Sequence, residues 1–208
     1  QLKRIQLPSR WELDTLQLDS TVRSSWLAPI SFDVSLRDIL VPLMAGGTLY
    51  CPDENTRKQP HRLVTWLQRN KINLMHCVPT MLRLLTNALQ ETTAIVPAFP
   101  ELRFILIAGE PIFGWDIDKW RNSAGFNHEL FNLYGPSETT LAKMYYRIKF
   151  VPTNLQQVIP VGIPLPNASV VILREGFECT VGEIGEIYLR TPHRSLGYLN
   201  DPELTASV

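Results

Sequence analysis

The chain has no surplus of either charge: 20 basic and 20 acidic side chains cancel over its 208 residues. Without a basic excess it carries no general attraction to nucleic acid or to an anionic membrane, and neither partner is expected. Cysteine is scarce. Cys51, Cys77 and Cys179 are odd in number, far apart, and form no CxxC pair. That pattern gives no sign of a disulfide framework or a zinc site, and it suits reduced, packed thiols in the cytoplasm. No apolar run approaches the roughly 20 residues that a membrane-spanning helix needs. The opening residues QLKRIQLPSRW are no signal peptide. Repeats, low-complexity stretches and an initiator methionine are also lacking. The expectation is a cytoplasmic piece of a longer chain.

What is present is material for a core. With 45% hydrophobic and 19% charged residues, the chain can build one domain or one and a half. Residues 1–30 show no clear period. Ser31 can cap a helix running to about Ala45, which Gly46-Gly47 stop. Thr48 to Cys51 is a short strand candidate, followed by a polar loop through Pro60. His61 to Asn70 has helical spacing, Ile72 to Val78 reads as a buried strand, and Thr80 to Gln90 as a helix. Arg103 to Ala108 is the clearest strand. Phe113 to Ser123 is a short helix and Glu129 to Leu133 the next strand. This alternation predicts an α/β fold, a mostly parallel sheet flanked by helices over residues 1–155. Past Phe150, prolines lead into short strands, Ser169 to Leu173 and Glu186 to Arg190, with Glu175-Gly176 as a turn. Residues 156–208 are therefore expected to form a smaller, incomplete β-rich subdomain.

Residues 131–140, Phe-Asn-Leu-Tyr-Gly-Pro-Ser-Glu-Thr-Thr, are the most informative stretch. A strand feeds a Gly-Pro turn, and past it the hydroxyls of Ser137, Thr139 and Thr140 crowd around Glu138. Hydroxyls at a strand's carboxyl end can donate to phosphate oxygen, and a hard carboxylate oxygen can take Mg²⁺. Asn132 and Tyr134, just before the turn, could hydrogen-bond and stack on a base. An ordinary strand-to-loop turn with surface polar residues is the plain alternative.

The stretch Asn-Leu-Tyr-Gly-Pro-Ser-Glu-Thr-Thr resembles the nucleotide motif of nonribosomal peptide synthetase adenylation domains. Those domains belong to the adenylate-forming superfamily, with acyl-CoA ligases and luciferases. Four further segments match in order. They are Ser31 to Ser35 with Pro42 to Leu49, Val78 to Leu82, Ala108-Gly109-Glu110, and Gly185-Glu186-Ile187 with Gly197-Tyr198 and Pro202 to Thr205. The resemblance covers nearly the whole chain and implies the central part of an adenylate-forming N-terminal core. It implies activation of an amino acid or other carboxylic acid by ATP and Mg²⁺. The acyl adenylate then passes to a carrier-protein thiol, among neighbouring synthetase domains.

Site residues follow from the same resemblance. Asn132 and Tyr134 would hold the adenine, and Gly135 would belong to the same nucleotide-binding set. Ser137 would touch the α-phosphate, and Glu138 would bind Mg²⁺. Ala108, Gly109 and Glu110 would line the cleft, glycine allowing close backbone approach. Asp33 would anchor the substrate α-ammonium, or else is a plain first-turn helix acid. Val34, Arg37, His76, Leu106, Ala108, Leu133, Leu141 and Ala142 would surround the substrate side chain. Val34, His76 and Leu133 resemble serine-activating pockets, but Arg37 replaces the usual Trp, Ala108 the usual Ser, and Ala142 an acid. Asp33 and Arg37 are four apart on an expected helix and share a face, so an ion pair between them is predicted. Such a pair would block an α-ammonium. His61, His128 and His193 are read as surface or capping residues.

The family's phosphate-clamping loop with its lysine lies upstream of the first match, and its ribose-binding aspartate and catalytic lysine lie downstream of the last. The chain by itself is expected to be inactive. Two alternatives stay open: a catalytically silent adenylation-like scaffold in a megasynthase, and a ligase for a carboxylic acid without an amine.

Overall fold

The computed structural model describes residues 10–91 and 98–207. Their helices and strands run in this order: α1 (10–16), β1 (Arg23–Ser25), α2 (Ser35–Met44), β2 (Thr48–Tyr50), α3 (Glu54–Lys58), α4 (Pro60–Arg69), β3 (Leu74–Cys77), α5 (Pro79–Gln90), β4 (Phe104–Ala108), α6 (Gly114–Ala124), β5 (Glu129–Tyr134), β6 (Met144–Ile148), β7 (Ile163–Pro164), β8 (Ser169–Arg174), β9 (Phe177–Glu178), β10 (Glu186–Arg190) and α7 (Pro202–Ser207). A seven-stranded sheet has the order β2-β1-β3-β4-β5-β6-β7. Its first five strands are parallel, and β6 and β7 are added antiparallel. A separate antiparallel sheet has the order β10-β8-β9.

The expected α/β architecture is therefore present, and its cause lies in the central strands. Leu-Met-His-Cys, Phe-Ile-Leu-Ile-Ala and Glu-Leu-Phe-Asn-Leu-Tyr are nearly continuous apolar runs, as strands covered on both faces must be. One face carries Met75, Ile105, Ile107 and Leu130 into a core with α4, α5 and α6. The other carries Leu74, Phe104, Leu106, Phe131 and Leu133 into a core with Trp11, Val41 and Leu165. Trp120, at 0% exposure, stacks on Phe99. Residues 163–164 still pair with the large sheet, and the chain enters the small one at Ser169.

Several local expectations are corrected. The helix assigned to Ser31 starts at Ser35, with Val34 at its N-cap and no side-chain capping bond. Residues 29–34 turn instead through Phe32 and Ser35 amides bonded to the Pro29 and Phe32 carbonyls. The loop expected through Pro60 contains α3, whose N-cap Asp53 accepts from the Thr56 amide. His128 is buried, not a surface residue: its Nε2 lies 3.2 Å from the Phe99 carbonyl and its ring packs on Phe99 and Trp120. All three cysteines are free, but Cys51 is exposed, so only Cys77 and Cys179 are even partly packed. Among the described residues no helix is long and apolar enough to cross a membrane.

Candidate functional site

The parallel strands β3, β4 and β5 run side by side, so their carboxyl ends open on one edge, where ligands of such sheets bind. That edge carries Val78-Pro79-Thr80, Ala108-Gly109-Glu110 and Tyr134 to Thr140 together. Gly109 has φ +96°, a left-handed conformation that a side chain would strain. Glu110 ties two of these segments: its carboxylate accepts from the Thr80 amide at 3.2 Å and the Thr80 hydroxyl at 2.6 Å. It thereby caps the N-terminus of α5, where a negative charge is favoured.

The loop after β5 is tightly folded. A Cβ on Gly135 would meet the Leu141 carbonyl at 2.5 Å and the Ala142 Cα at 2.8 Å, so only glycine fits that approach. Ser137–Thr139 form a 3₁₀ turn. Thr140 and Leu141 then follow at φ 63° and 62°. Consecutive non-glycine residues in that region store on the order of 1–3 kcal/mol each and persist only where surroundings enforce them. The Tyr134 carbonyl accepts from the Lys143 amide at 2.7 Å and closes the loop. Ser137 is exposed at its tip, and Tyr134 is 37% exposed at its base.

Glu138 stands against the far end of the chain. The Tyr198 hydroxyl donates to its Oε1, which holds the carboxyl below its usual range and pushes the phenol up. The Ser195 amide donates to the Glu138 carbonyl at 2.6 Å, and the Thr140 hydroxyl to the His193 carbonyl at 3.0 Å. Asn132 is buried, and its side-chain amide donates to the carbonyls of Ile159 and Pro160 at 3.2 and 2.9 Å. It therefore fastens β5 to the segment before β7. Among the described residues no group of three or more His, Cys, Asp or Glu could hold a metal by itself. A cation here would share its coordination with a ligand's oxygens, which is how Mg²⁺ usually binds with phosphates. An ionised Glu138 with Ser137 beside it fits that donor set.

Arg37 and His76, two of the residues expected around a substrate, belong to a buried ionic cluster. The expected Asp33–Arg37 pair is not formed. Arg37, 3% exposed, instead donates through Nη2 to Glu12 Oε1, from helix α1, and Glu12 is 0% exposed. His76 Nε2 lies 2.8 Å from Glu12 Oε2, and Nδ1 3.1 Å from Asp38 Oδ1. Asp38 also accepts from the Leu27 and Ala28 amides at 3.1 and 3.0 Å. Burial alone would raise the Glu12 carboxyl, but Arg37 and His76 outweigh it and hold it below its usual range. Asp33 is only half-buried, and the Leu141 amide approaches its Oδ2 at 3.5 Å. Val34 is half-buried beside it, and Ala108 at the end of β4 likewise. Leu106, Leu133, Leu141 and Ala142 are buried, the first, second and fourth within the apolar core that includes Trp11. Lys143, 3% exposed, points its ammonium at the carbonyls of Thr140, Leu141 and Ala142. Desolvation, helped by Arg37 and opposed by Asp33, pushes it down to about 8.

Glu12, Asp38, Lys143 and the Tyr198 contact with Glu138 were not among the expected site residues. Glu12 left a trace in the sequence: it lies four residues before Leu16, so one face of α1 carries both. Lys143 left none.

The profile of AMP-binding enzymes matches residues 6–199. The chain belongs to the AMP-binding enzyme family. Delta-poly-L-ornithine synthetase of Acinetobacter baumannii is 30% identical over 85% of the chain, which spans 12% of that protein. A D-alanine--D-alanyl carrier protein ligase of Bacillus velezensis is 31% identical over 86% of the chain and 35% of that protein. L-2-aminoadipate reductase of Saccharomyces cerevisiae is 30% identical over 93% of the chain and 14% of that protein. The chain thus corresponds to a small part of each. The Vibrio cholerae adenylation domain AlmE, solved with glycyl-adenosine-5'-phosphate, superposes with a TM-score of 0.83 at 25% identity. That match covers 99% of this chain and 38% of that one. This AMP-binding chain therefore shares the α/β core of adenylation domains.

Proposed function

We propose that this AMP-binding chain forms the central part of an amino-acid adenylation domain. Such a domain joins an amino acid's carboxylate to the α-phosphate of ATP, expels pyrophosphate, and passes the acyl group to a carrier-protein thiol. The observation that carries this reading is the meeting of two motifs 108 positions apart: Asp33, suited to an ammonium, and the strained 137–141 loop, suited to a phosphate, touch through the Leu141 amide at 3.5 Å. A substrate bound there has its amine on Asp33 and its carboxylate toward Ser137 and Glu138. Relatives that carry ornithine, D-alanine and aminoadipate in their names, and the glycyl adenylate held by AlmE, support an amino acid over other carboxylic acids.

Positioning and charge neutralisation supply most of the rate in phosphoryl transfer of this kind. Ser137 would donate to an α-phosphate oxygen. Glu138 would hold Mg²⁺, which when bound offsets phosphate charge. Tyr134, partly exposed at the cleft, offers a ring to the adenine face, while Asn132 fixes the strand that presents it. Neighbouring synthetase domains and a carrier protein are the partners this reaction needs.

ATP–pyrophosphate exchange by the complete protein that carries this sequence tests the reading. Exchange is expected with one or a few α-amino acids, and Glu138→Gln is expected to lower it by about 10²-fold or more, as loss of one charge-stabilising group does. Absence of exchange with every amino acid, or an undiminished Glu138→Gln, would count against it.

A further inference from the structure

Arg37 stands one helical turn from Asp33, the Leu36 amide bonding to the Asp33 carbonyl and the Arg37 amide to the Val34 carbonyl at 3.0 Å each. Asp33 lies in the turn just ahead of helix α2, and both it and Arg37 act on the Lys143 ammonium, so a guanidinium released from Glu12 would be within reach of the Asp33 carboxylate. Glu12 holds it instead. The pair is deeply enclosed, with Glu12 at 0% and Arg37 at 3% exposure, and Arg37 Nε keeps no partner of its own. The guanidinium thus has an unused donor and one strong tether. His76 closes the other side of Glu12, at 2.8 Å, and is itself held by Asp38.

We propose that Glu12 sets the substrate class by holding the Arg37 guanidinium away from Asp33, which leaves Asp33 free to receive the α-ammonium of an amino acid. This rests on the amino-acid reading above. Glu12 acts through Arg37 and is a positioning residue. Without it, two carboxylates remain near the buried cation. Asp38 is already engaged by His76 and by the Leu27 and Ala28 amides, whereas Asp33 is in no ion pair among the described residues. The guanidinium turns to Asp33 and the ammonium receptor is neutralised from within. The other groups facing Asp33 are the Leu141 amide and the Lys143 ammonium. Lys143 is restrained by the carbonyls of Thr140, Leu141 and Ala142. The near-isosteric Glu12→Gln variant keeps the packing of helix α1 and removes the charge that holds both Arg37 and His76. The double variant Glu12→Gln/Arg37→Met removes both charges together. His76 loses the same partner in both variants, so comparing the two isolates Arg37.

The Asp33 titration, followed by carboxyl ¹³C NMR on the chain itself, reads the proposal without any activity. In Glu12→Gln the Asp33 midpoint is expected to fall by about one pH unit or more, and in the double variant to return to the wild-type value. An unchanged midpoint in Glu12→Gln overturns the proposal. So does a midpoint in the double variant well above wild type, which would mean that Arg37 already serves Asp33; this second comparison decides even if Glu12→Gln does not fold. In the complete protein, exchange is compared for an amino acid and its desamino analogue. Glu12→Gln is expected to reduce the preference for the amine at least tenfold, and Arg37→Met in the same chain to restore it. Wild-type exchange with an amino acid whose preference Glu12→Gln leaves intact overturns the proposal. Absence of all exchange counts against the amino-acid reading and leaves the NMR result to decide this one.

Discussion

Burial by itself would drive the proton off His76, yet Glu12 and Asp38 face its two ring nitrogens and outweigh it, raising the group to about 9. A histidine whose folded pKa lies above its unfolded value of about 6.5 contributes stability that is fully present below pH 6.5 and lost as pH rises through about 9. Lys143 has the opposite sign. Its folded pKa is depressed to about 8, so the fold gains stability as pH rises from 8 toward the unfolded value of 10.5. Between pH 6.5 and 8, therefore, His76 dominates, and unfolding free energy is expected to fall, by on the order of 1–2 kcal/mol. Urea unfolding across that range should show the slope, and His76→Gln should flatten it. A wild-type stability that rises over the same range would show that His76 is neutral in the fold. This arrangement was only half visible beforehand: the sequence places Arg37 and His76 together through the family resemblance, but Asp33 was given the role that Glu12 fills. The i, i+4 rule identifies which residues can meet; it does not rank them against an acid arriving from 25 positions away on another helix.

At the scale of elements, the strands that read clearly were those whose burial is written in their own composition, β3, β4 and β5, along with α4 before them and α5 and α6 between them. β1 gave no signal, because Arg-Ser-Ser has neither an apolar run nor strand propensity. It exists because β2 and β3 pair with it on both sides, and Ser24 and Ser25 are fully buried as a result. β6 was missed for a related reason, its outer positions Tyr146 and Arg147 being exposed. The loop after β5 was legible as chemistry and not as geometry: hydroxyls and a carboxylate could be counted, but not the close approach of Gly135 to residues 141–143. That approach makes a prediction. A methyl at Gly135 collides with three backbone atoms of residues 141–143, whereas one at Gly109 meets only the Val78 side chain at 3.6 Å and suffers from φ alone. Gly109→Ala is expected to cost about 1 kcal/mol, and Gly135→Ala more, about 2–3 kcal/mol. Chemical denaturation of the two variants in parallel gives the order, and Gly109→Ala being the worse would refute this account of the loop.

For the whole molecule, the two sheets differ in what protects them. The central strands of the large sheet are covered on both faces, with Ile105 and Ile107 at 0% exposure. The small sheet leaves Phe177 at 79% and Tyr188 at 49% exposed, and Ile184, in the loop before β10, is 86% exposed. Between the sheets, the 137–140 loop meets residues 193–198 through three hydrogen bonds: Ser195 to the Glu138 carbonyl, Thr140 to the His193 carbonyl, and Tyr198 to the Glu138 carboxylate. Only the last is a side-chain contact to a charged group, and the turn of Gly197 against Thr205, with the Tyr198 amide bonded to the Thr205 hydroxyl at 2.9 Å, aims it. Segments with few buried contacts open at lower free energy than the core. Native-state hydrogen exchange is therefore expected to protect β3, β4 and β5 longest and to release β8, β10 and residues 193–198 well before global unfolding. Tyr198→Phe keeps the ring and removes the hydroxyl. It is expected to speed exchange in 193–198 and 137–141 while leaving β4 unchanged, and to let the Glu138 carboxyl titrate nearer its ordinary range. If instead all strands exchange together, and Tyr198→Phe alters none of them selectively, then the chain opens as one unit and the Tyr198–Glu138 contact does not couple the loop to the small sheet.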